Sequence, residues 1–282
     1  LSTCDSVVTM SVYVAPLPSA TISGNDTACQ VESEVYSVPL VSGYSYSWSA
    51  NGGTIIGSSA TNSATIRWDD TGSVSASVII TNVLGCDTTA SISVYSSIKP
   101  KPVISGDDST CLNKIYTYSV VPQAGHTYSW NVTGGTVYGD PTSTSIEVLW
   151  NVLGTGNVSI TQNNPLVGCD TTVSINVLVL YTPVPVIDLP NDTACENNTY
   201  TYRVTSQGNG ETYSWSVSGG VILGGSSDTF ALIQWAGPGT GLIQVTQTSA
   251  FGCDSTITDT VVIVQTPKPV ISLPNDSACQ NK

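Results

Sequence analysis

The chain has 282 residues and a formal net charge of −13, with seven Lys plus Arg against 20 Asp plus Glu. That balance excludes the basic footprint of a nucleic-acid binder and any attraction to an anionic membrane surface, and it reads as colloidal solubility. Ser, Thr, Gly, Val and Tyr dominate and no useful stretch shows helical periodicity, so the expected class is all-β with short strands.

Eight Cys set the frame. One kind of Cys follows an Asn/Asp-rich stretch, at Cys29, Cys111, Cys195 and Cys279, in steps of 82, 84 and 84 residues. The other, at Cys4, Cys86, Cys169 and Cys253, steps by 82, 83 and 84 and is mostly written Gly-Cys-Asp. A period this regular marks an array of like units, each large enough for one small domain. The expected divisions are 1–15 as the last strand of a preceding repeat, repeats at 16–98, 99–181 and 182–265, and 266–282 as the first strand of a following one. The chain is therefore expected to be a window on a longer secreted protein. Regular Cys usage points to an oxidising compartment. Without a Cys-x-x-Cys, and with His126 the sole His, no zinc site or other cofactor is expected.

In chain order, Cys4-Asp5-Ser6 is followed by an alternating Val8 to Val14, read as a last strand. Pro16-Leu17-Pro18 marks a boundary, repeated at Pro100-Lys101-Pro102, Pro183-Val184-Pro185 and Pro267-Lys268-Pro269. Linkers this short and proline-rich are stiff and fix spacing. A short first strand follows each, such as Val103-Ile104-Ser105, then a polar turn and the first Cys. The second strand is Tyr116 to Val120 in one repeat and Tyr200 to Val204 in the next, with Tyr, Tyr and Val on one face. The third carries Tyr46-Ser47-Trp48, Tyr128-Ser129-Trp130 and Tyr213-Ser214-Trp215, each leading to a Gly-Gly suited to a tight hairpin. The fifth ends in Trp68, Trp150 or Trp235. All six Trp are expected in the core. A Gly-rich turn, Gly154-Thr155-Gly156 or Gly239-Thr240-Gly241, precedes the sixth strand, and Gly-Cys-Asp leads into the seventh. Seven short strands with turns every eight to twelve residues make a β-sandwich.

This succession — Cys, Tyr-x-Tyr-x-Val, Tyr-Ser-Trp, Gly-Gly, Trp, Gly-x-Gly, Gly-Cys-Asp — resembles the PKD-like, immunoglobulin-like repeats of giant bacterial surface proteins. Those proteins are typically exported by the type IX route, and gliding-motility adhesins are familiar users. The resemblance implies tandem seven-stranded sandwiches in a linear array, outside the cell and at its surface. Its partners would be neighbouring repeats, anchoring machinery beyond this window and surface polysaccharide, with no nucleic acid and no membrane insertion.

In a sandwich of this strand order the turn after the first strand and the turn before the seventh lie at opposite ends. Pairing Cys29 with Cys86 would span a strand of about ten residues, roughly 33 Å, whereas disulfide Cα atoms lie about 4.4–6.8 Å apart. Pairing across a junction is the expectation: Cys29 with Cys169 and Cys111 with Cys253. Cys86 and Cys195 would then bond repeats before and after the window. Intra-repeat pairing and free thiols stay open.

Each landmark Cys stands beside Asp-Ser/Thr-small. This looks like the acceptor motif of the general O-glycosylation system of bacteria that carry such adhesins. It implies glycans at Thr27, Ser109, Thr193 and Ser277, and with less support at Ser6, Thr88, Thr171 and Ser255. Plain turn chemistry explains the same residues. The Asn131 and Asn157 sequons fall in expected strands. Asp69-Asp70 and Asp107-Asp108 lack the spaced oxygen ligands of a calcium loop, and His126 occurs in one repeat only, so no catalytic or metal residue is assigned. The functional expectation is a non-enzymatic stalk of an adhesin filament. The alternatives are carbohydrate- or partner-binding modules and accessory domains of a secreted hydrolase.

Overall fold

The computed structural model describes residues 4–190, 192–208 and 210–271, and every regular element among them is a β-strand. Ser277 and Cys279 lie outside the described residues. Repeat 1 holds β1 (Thr27–Cys29), β2 (Ser33–Ser37), β3 (Ser45–Asn51), β4 (Gly53–Ile56), β5 (Ser63–Trp68), β6 (Gly72–Thr81) and β7 (Asp87–Ser97). They form two sheets, ordered β1-β7-β6-β3 and β2-β5-β4, facing each other across one core.

Repeat 2 repeats the plan with β8 (Ser109–Cys111), β9 (Ile115–Ser119), β10 (Thr127–Thr133), β11 (Gly135–Tyr138), β12 (Ser145–Trp150), β13 (Gly154–Asn164) and β14 (Cys169–Leu180). In repeat 3 a two-residue strand, β15 (Ile187–Asp188), comes first. It is followed by β16 (Thr193–Cys195), β17 (Thr199–Val204), β18 (Thr212–Ser218), β19 (Gly220–Gly224), β20 (Phe230–Trp235), β21 (Gly239–Thr248) and β22 (Asp254–Val264).

Alternation decides which side of each strand is buried. In β3 the residues Tyr46 and Trp48 point inward while Ser45, Ser47 and Ser49 face water. Trp48, Trp130 and Trp215 are buried, and each indole donates its N–H to a carbonyl 13 residues on: Thr61, Ser143 and Asp228, at 2.9 Å. Trp68, Trp150 and Trp235 are fully buried. Each stands edge-on to a Tyr of the second strand, at 5.8 Å for Tyr36, 6.1 Å for Tyr118 and 6.1 Å for Tyr202. This is the geometry that aromatic quadrupoles favour. Tyr36 and Tyr118 donate their hydroxyls to the Asn25 and Asp107 carbonyls at 3.0 Å. Burial pushes the Tyr118 phenol up to about 12 and raises Tyr36 and Tyr202 in the same direction. The Tyr and Trp stripes are thus core.

Four expectations need correction. The first strand is split. Ser23 and Ser105 make single bridges to Ser37 and Ser119, and only repeat 3 pairs two residues, Ile187 and Asp188. The chain then crosses to the opposite sheet, where the Cys-bearing segment is itself a strand, paired parallel with the seventh: Cys29 with Ser97, Cys111 with Leu180, Cys195 with Val264. In repeats 1 and 2 the crossover passes so close to the core Tyr that a Cβ on Gly24 or Gly106 would stand 2.3 Å from its ring, so only Gly fits there.

The Gly-Thr-Gly stretches begin β13 and β21 instead of forming turns. Their second Gly faces the core Trp, where a Cβ would lie 2.2 Å from Trp150 and 2.1 Å from Trp235. The Cys-bearing stretches of the first kind end strands and are not turns. Val8 to Val14 carries the alternation of a strand but has no partner strand beside it among the described residues, and it stays exposed and irregular.

Candidate functional site: the stapled repeat junctions

The parallel pairing places Cys29 beside the last residue of β7, at the exit of repeat 1. Cys169 is the first residue of β14 and so lies at the entry of repeat 2. The structure joins these two, with Cα atoms 5.6 Å apart. Cys111 and Cys253 are joined in the same way between repeats 2 and 3, also at 5.6 Å. Cys29, Cys169 and Val167 form a small buried cluster of their own at the first junction. Cys4, Cys86 and Cys195 carry free thiols, with Cys86 and Cys195 half-buried.

A tight turn holds each exit cysteine. The Glu32 amide donates to the Cys29 carbonyl and the Val31 amide to the Trp68 carbonyl, at 3.1 and 2.7 Å. The third residue of this turn is left-handed in every repeat: Val31 at φ 61°, Asn113 at 61° and Asn197 at 60°. Asn tolerates that conformation, whereas β-branched Val31 holds it under strain.

The linkers are clamped. Pro100, Pro102, Pro183 and Pro185 are buried, while Lys101 and Val184 between them face water. At the exit of repeat 2, Thr182 Oγ1 donates to the Leu112 carbonyl at 2.8 Å, and after repeat 3 Thr266 donates to Glu196 at 3.0 Å. After repeat 1 this role passes to an ion pair between Lys99 and Glu32. The entry turns reach back. Asn82 donates to the Pro16 carbonyl at 3.3 Å, and Asn164, its counterpart before Cys169, reaches Ser97 Oγ at 3.5 Å.

The two junctions differ in their polar lining. At the second, the Gln207 side chain crosses the contact to Tyr181 and to the Val184 backbone, accepting from the Val184 amide at 3.0 Å. Glu211 holds Gln207 from behind, accepting from its amide at 2.9 Å and from Tyr213 Oη at 2.8 Å. Burial would raise the Glu211 carboxyl, but these bonds and one from Ser206 outweigh it and keep it below the usual range. At the first junction His126 stands where Glu211 stands. Gln162 Nε2 donates to Gln123 Oε1 at 2.8 Å and meets His126 Nδ1 at 3.0 Å. An amide nitrogen only donates, so the His126 proton sits on Nε2.

The glycan candidates are also in strands. Thr27, Ser109 and Thr193 open β1, β8 and β16 and pair with Tyr95, Leu178 and Val262, all well exposed, so their hydroxyls share an outward face. Thr88, Thr171 and Ser255 pair with buried Ile80, Gln162 and Gln247 and share the inward side. Ser6 is exposed. Asp69 is engaged locally: hydrogen bonds from Thr54 Oγ1 at 2.6 Å and Arg67 Nε at 2.8 Å hold its carboxyl below the usual range. No helix is long and apolar enough to cross a membrane among the described residues.

The junction chemistry could not be read from sequence patterns because it depends on residues far apart in the chain, 66 to 70 positions for the bonds of Asn82, Asn164, Thr182 and Thr266. The one available signal was the loss of repeat symmetry at Lys99 and His126.

No curated protein matches the chain. Three titin immunoglobulin domains, I67–I69 in a mutated variant, are 11% identical with a TM-score of 0.38, over 89% of this chain and 100% of that one. The eight N-terminal immunoglobulin domains of Down Syndrome Cell Adhesion Molecule are 12% identical with a TM-score of 0.41, over 88% of this chain and 36% of that one. Invasin, a bacterial integrin-binding protein, is 15% identical with a TM-score of 0.36, over 86% and 59%. A model of the PKD-like domain matches residues 15–94, 97–179 and 182–262, and the chain therefore belongs to the PKD-like domain family, with three copies in tandem.

Proposed function

We propose that the chain is a load-bearing spacer: part of the stalk of a long extracellular adhesin filament of the type IX-exported, gliding-motility kind. Tandem PKD-like domains fit a structural or adhesive repeat role and are typically non-catalytic. The observation that carries the reading is the construction of the junctions, where buried linker prolines and a disulfide coincide at each contact. A linker free to swing would leave its prolines in water and would need no covalent tie. Cys86 and Cys195 occupy the entry position of repeat 1 and the exit position of repeat 3 in the same scheme, with free thiols. Disulfides of this density belong to an oxidising, extracellular setting.

O-glycans on the outward-facing Thr27, Ser109 and Thr193 would shield the exposed edge of the array from proteases. Intact mass of the native protein tests that part, and a mass equal to the bare chain ends it. Small-angle scattering tests the spacer. The account predicts a narrow rod-like distance distribution in the oxidised protein that broadens on reduction. A broad distribution already present with both disulfides formed would refute it.

A further inference from the structure

We propose that the junction between repeats 1 and 2 is a binding site for an acidic sugar residue, one that carries a carboxylate. The proposal goes beyond the spacer reading and does not depend on it.

A cavity of about 390 Å³ opens at this junction. That volume lies within the range of small-molecule sites, about 300–1,000 Å³, and exceeds what a bare ion needs. Its walls include Lys99, Lys101 and His126, and none of the residues lining it is acidic. The chain has only seven Lys plus Arg and one His against 20 acids. Two of those lysines and the sole His stand at this one cavity, with Lys99 offset by Glu32 and Lys101 left as its unpaired cation among the described residues.

The donors are also unspent. Lys99 is tied to Glu32, but Lys101 is exposed and has no ion pair among the described residues. His126 accepts through Nδ1, which leaves its Nε2–H to donate. Gln123 uses its Oε1 on Gln162 and keeps its amide N–H groups. Ser97 adds a hydroxyl, and the exposed Ile98 side chain gives an apolar surface against which a sugar ring can lie. Ammonium, imidazole and amide donors suit one carboxylate with its neighbouring hydroxyls.

The second junction is the built-in contrast. The strand registers equate Tyr128 with Tyr213, so His126 corresponds to Glu211. They equate Ser97 with Leu180, so Lys99 and Lys101 correspond to Thr182 and Val184. There the cations are gone, and Gln207 bridges the contact itself. The cationic lining is therefore not a requirement for joining two repeats.

The test is calorimetric titration of the whole 282-residue chain, oxidised, with a galacturonic acid trisaccharide. Controls are the neutral galactose trisaccharide, triglutamate and inorganic sulfate. The expected result is saturable binding of the uronate alone, weakened about five- to tenfold by Lys101→Gln and by His126→Gln. Lys101 is exposed and His126 half-buried, and an unchanged melting temperature verifies that the variants fold. Absence of uronate binding overturns the proposal. So does equal binding of the neutral sugar, of triglutamate or of sulfate, or uronate binding indifferent to both substitutions. None of these outcomes bears on whether the junctions stiffen the array.

Discussion

The two disulfides interleave along the chain, and this fixes how far the stapled array can be stretched. In order, the bonded residues are Cys29, Cys111, Cys169 and Cys253, with the first tied to the third and the second to the fourth. Three chain segments therefore run in parallel between the two staples: 29–111, 111–169 and 169–253, which are 82, 58 and 84 residues by subtraction. Tension applied outside Cys29 and Cys253 is shared by all three, and the shortest limits the extension. At about 3.5 Å per residue, 58 residues reach ~200 Å even with every domain unfolded. Breaking both staples leaves the 224 residues from Cys29 to Cys253, which reach ~780 Å. Removing one staple, by Cys29→Ser or Cys111→Ser, leaves 82 or 84 residues in the load path and ~290 Å.

Single-molecule force spectroscopy with handles on the chain ends reads these lengths directly. The expected ladder for the span between the staples is ~200 Å for the oxidised chain, ~290 Å for either single variant and ~780 Å after reduction. Intra-repeat pairing of Cys29 with Cys86, Cys111 with Cys169 and Cys195 with Cys253 would leave 25 residues from Cys86 to Cys111 and 26 from Cys169 to Cys195, about 180 Å, but either single variant would then extend to about 380 Å. An oxidised chain that extends to ~780 Å, or a single variant that extends to ~380 Å, refutes the reasoning.

Three further outcomes follow from particular residues. Val31→Asn, which copies Asn113 and Asn197, removes a β-branched side chain from a left-handed turn at an exposed position, and repeat 1 should gain about 1 kcal/mol in chemical denaturation. Gly156→Ala puts a methyl 2.2 Å from the Trp150 ring and should cost about 1–3 kcal/mol, read as a lowered melting temperature of repeat 2. The Tyr118 phenol, raised by burial from 10.0 to about 12, contributes fully below pH 10, and its contribution is lost as the pH rises through 12. Alkaline titration of repeat 2 stability should therefore fall by about 2–3 kcal/mol over that window, and Tyr118→Phe should remove that fall while leaving the parts due to Tyr36 and Tyr202 in the other repeats.

Much of the fold was legible because a strand writes its faces into alternate residues. Tyr46 and Trp48 declare an inner face without reference to any neighbour. The repeat period then supplied three readings of each unit, so that the Trp positions and the Gly-Gly hairpins could be checked against one another. What alternation does not carry is the partner. The crossing of Thr27–Cys29 to the opposite sheet depends on a gap beside the seventh strand, and the role of Gly156 depends on the Trp150 ring lying over it. Both are tertiary facts. The ends of the domain that carry each Cys followed from strand order, whereas the lining of the junctions rests on side chains brought together from three separate turns.

The central claim is that adjacent PKD-like repeats are covalently tied end to end. Peptide mapping of the native protein without reduction addresses it most directly. The account predicts one cross-linked peptide pair containing Cys29 and Cys169 and another containing Cys111 and Cys253. Recovery of Cys29 linked to Cys86, or of all four as unlinked thiols, would contradict it.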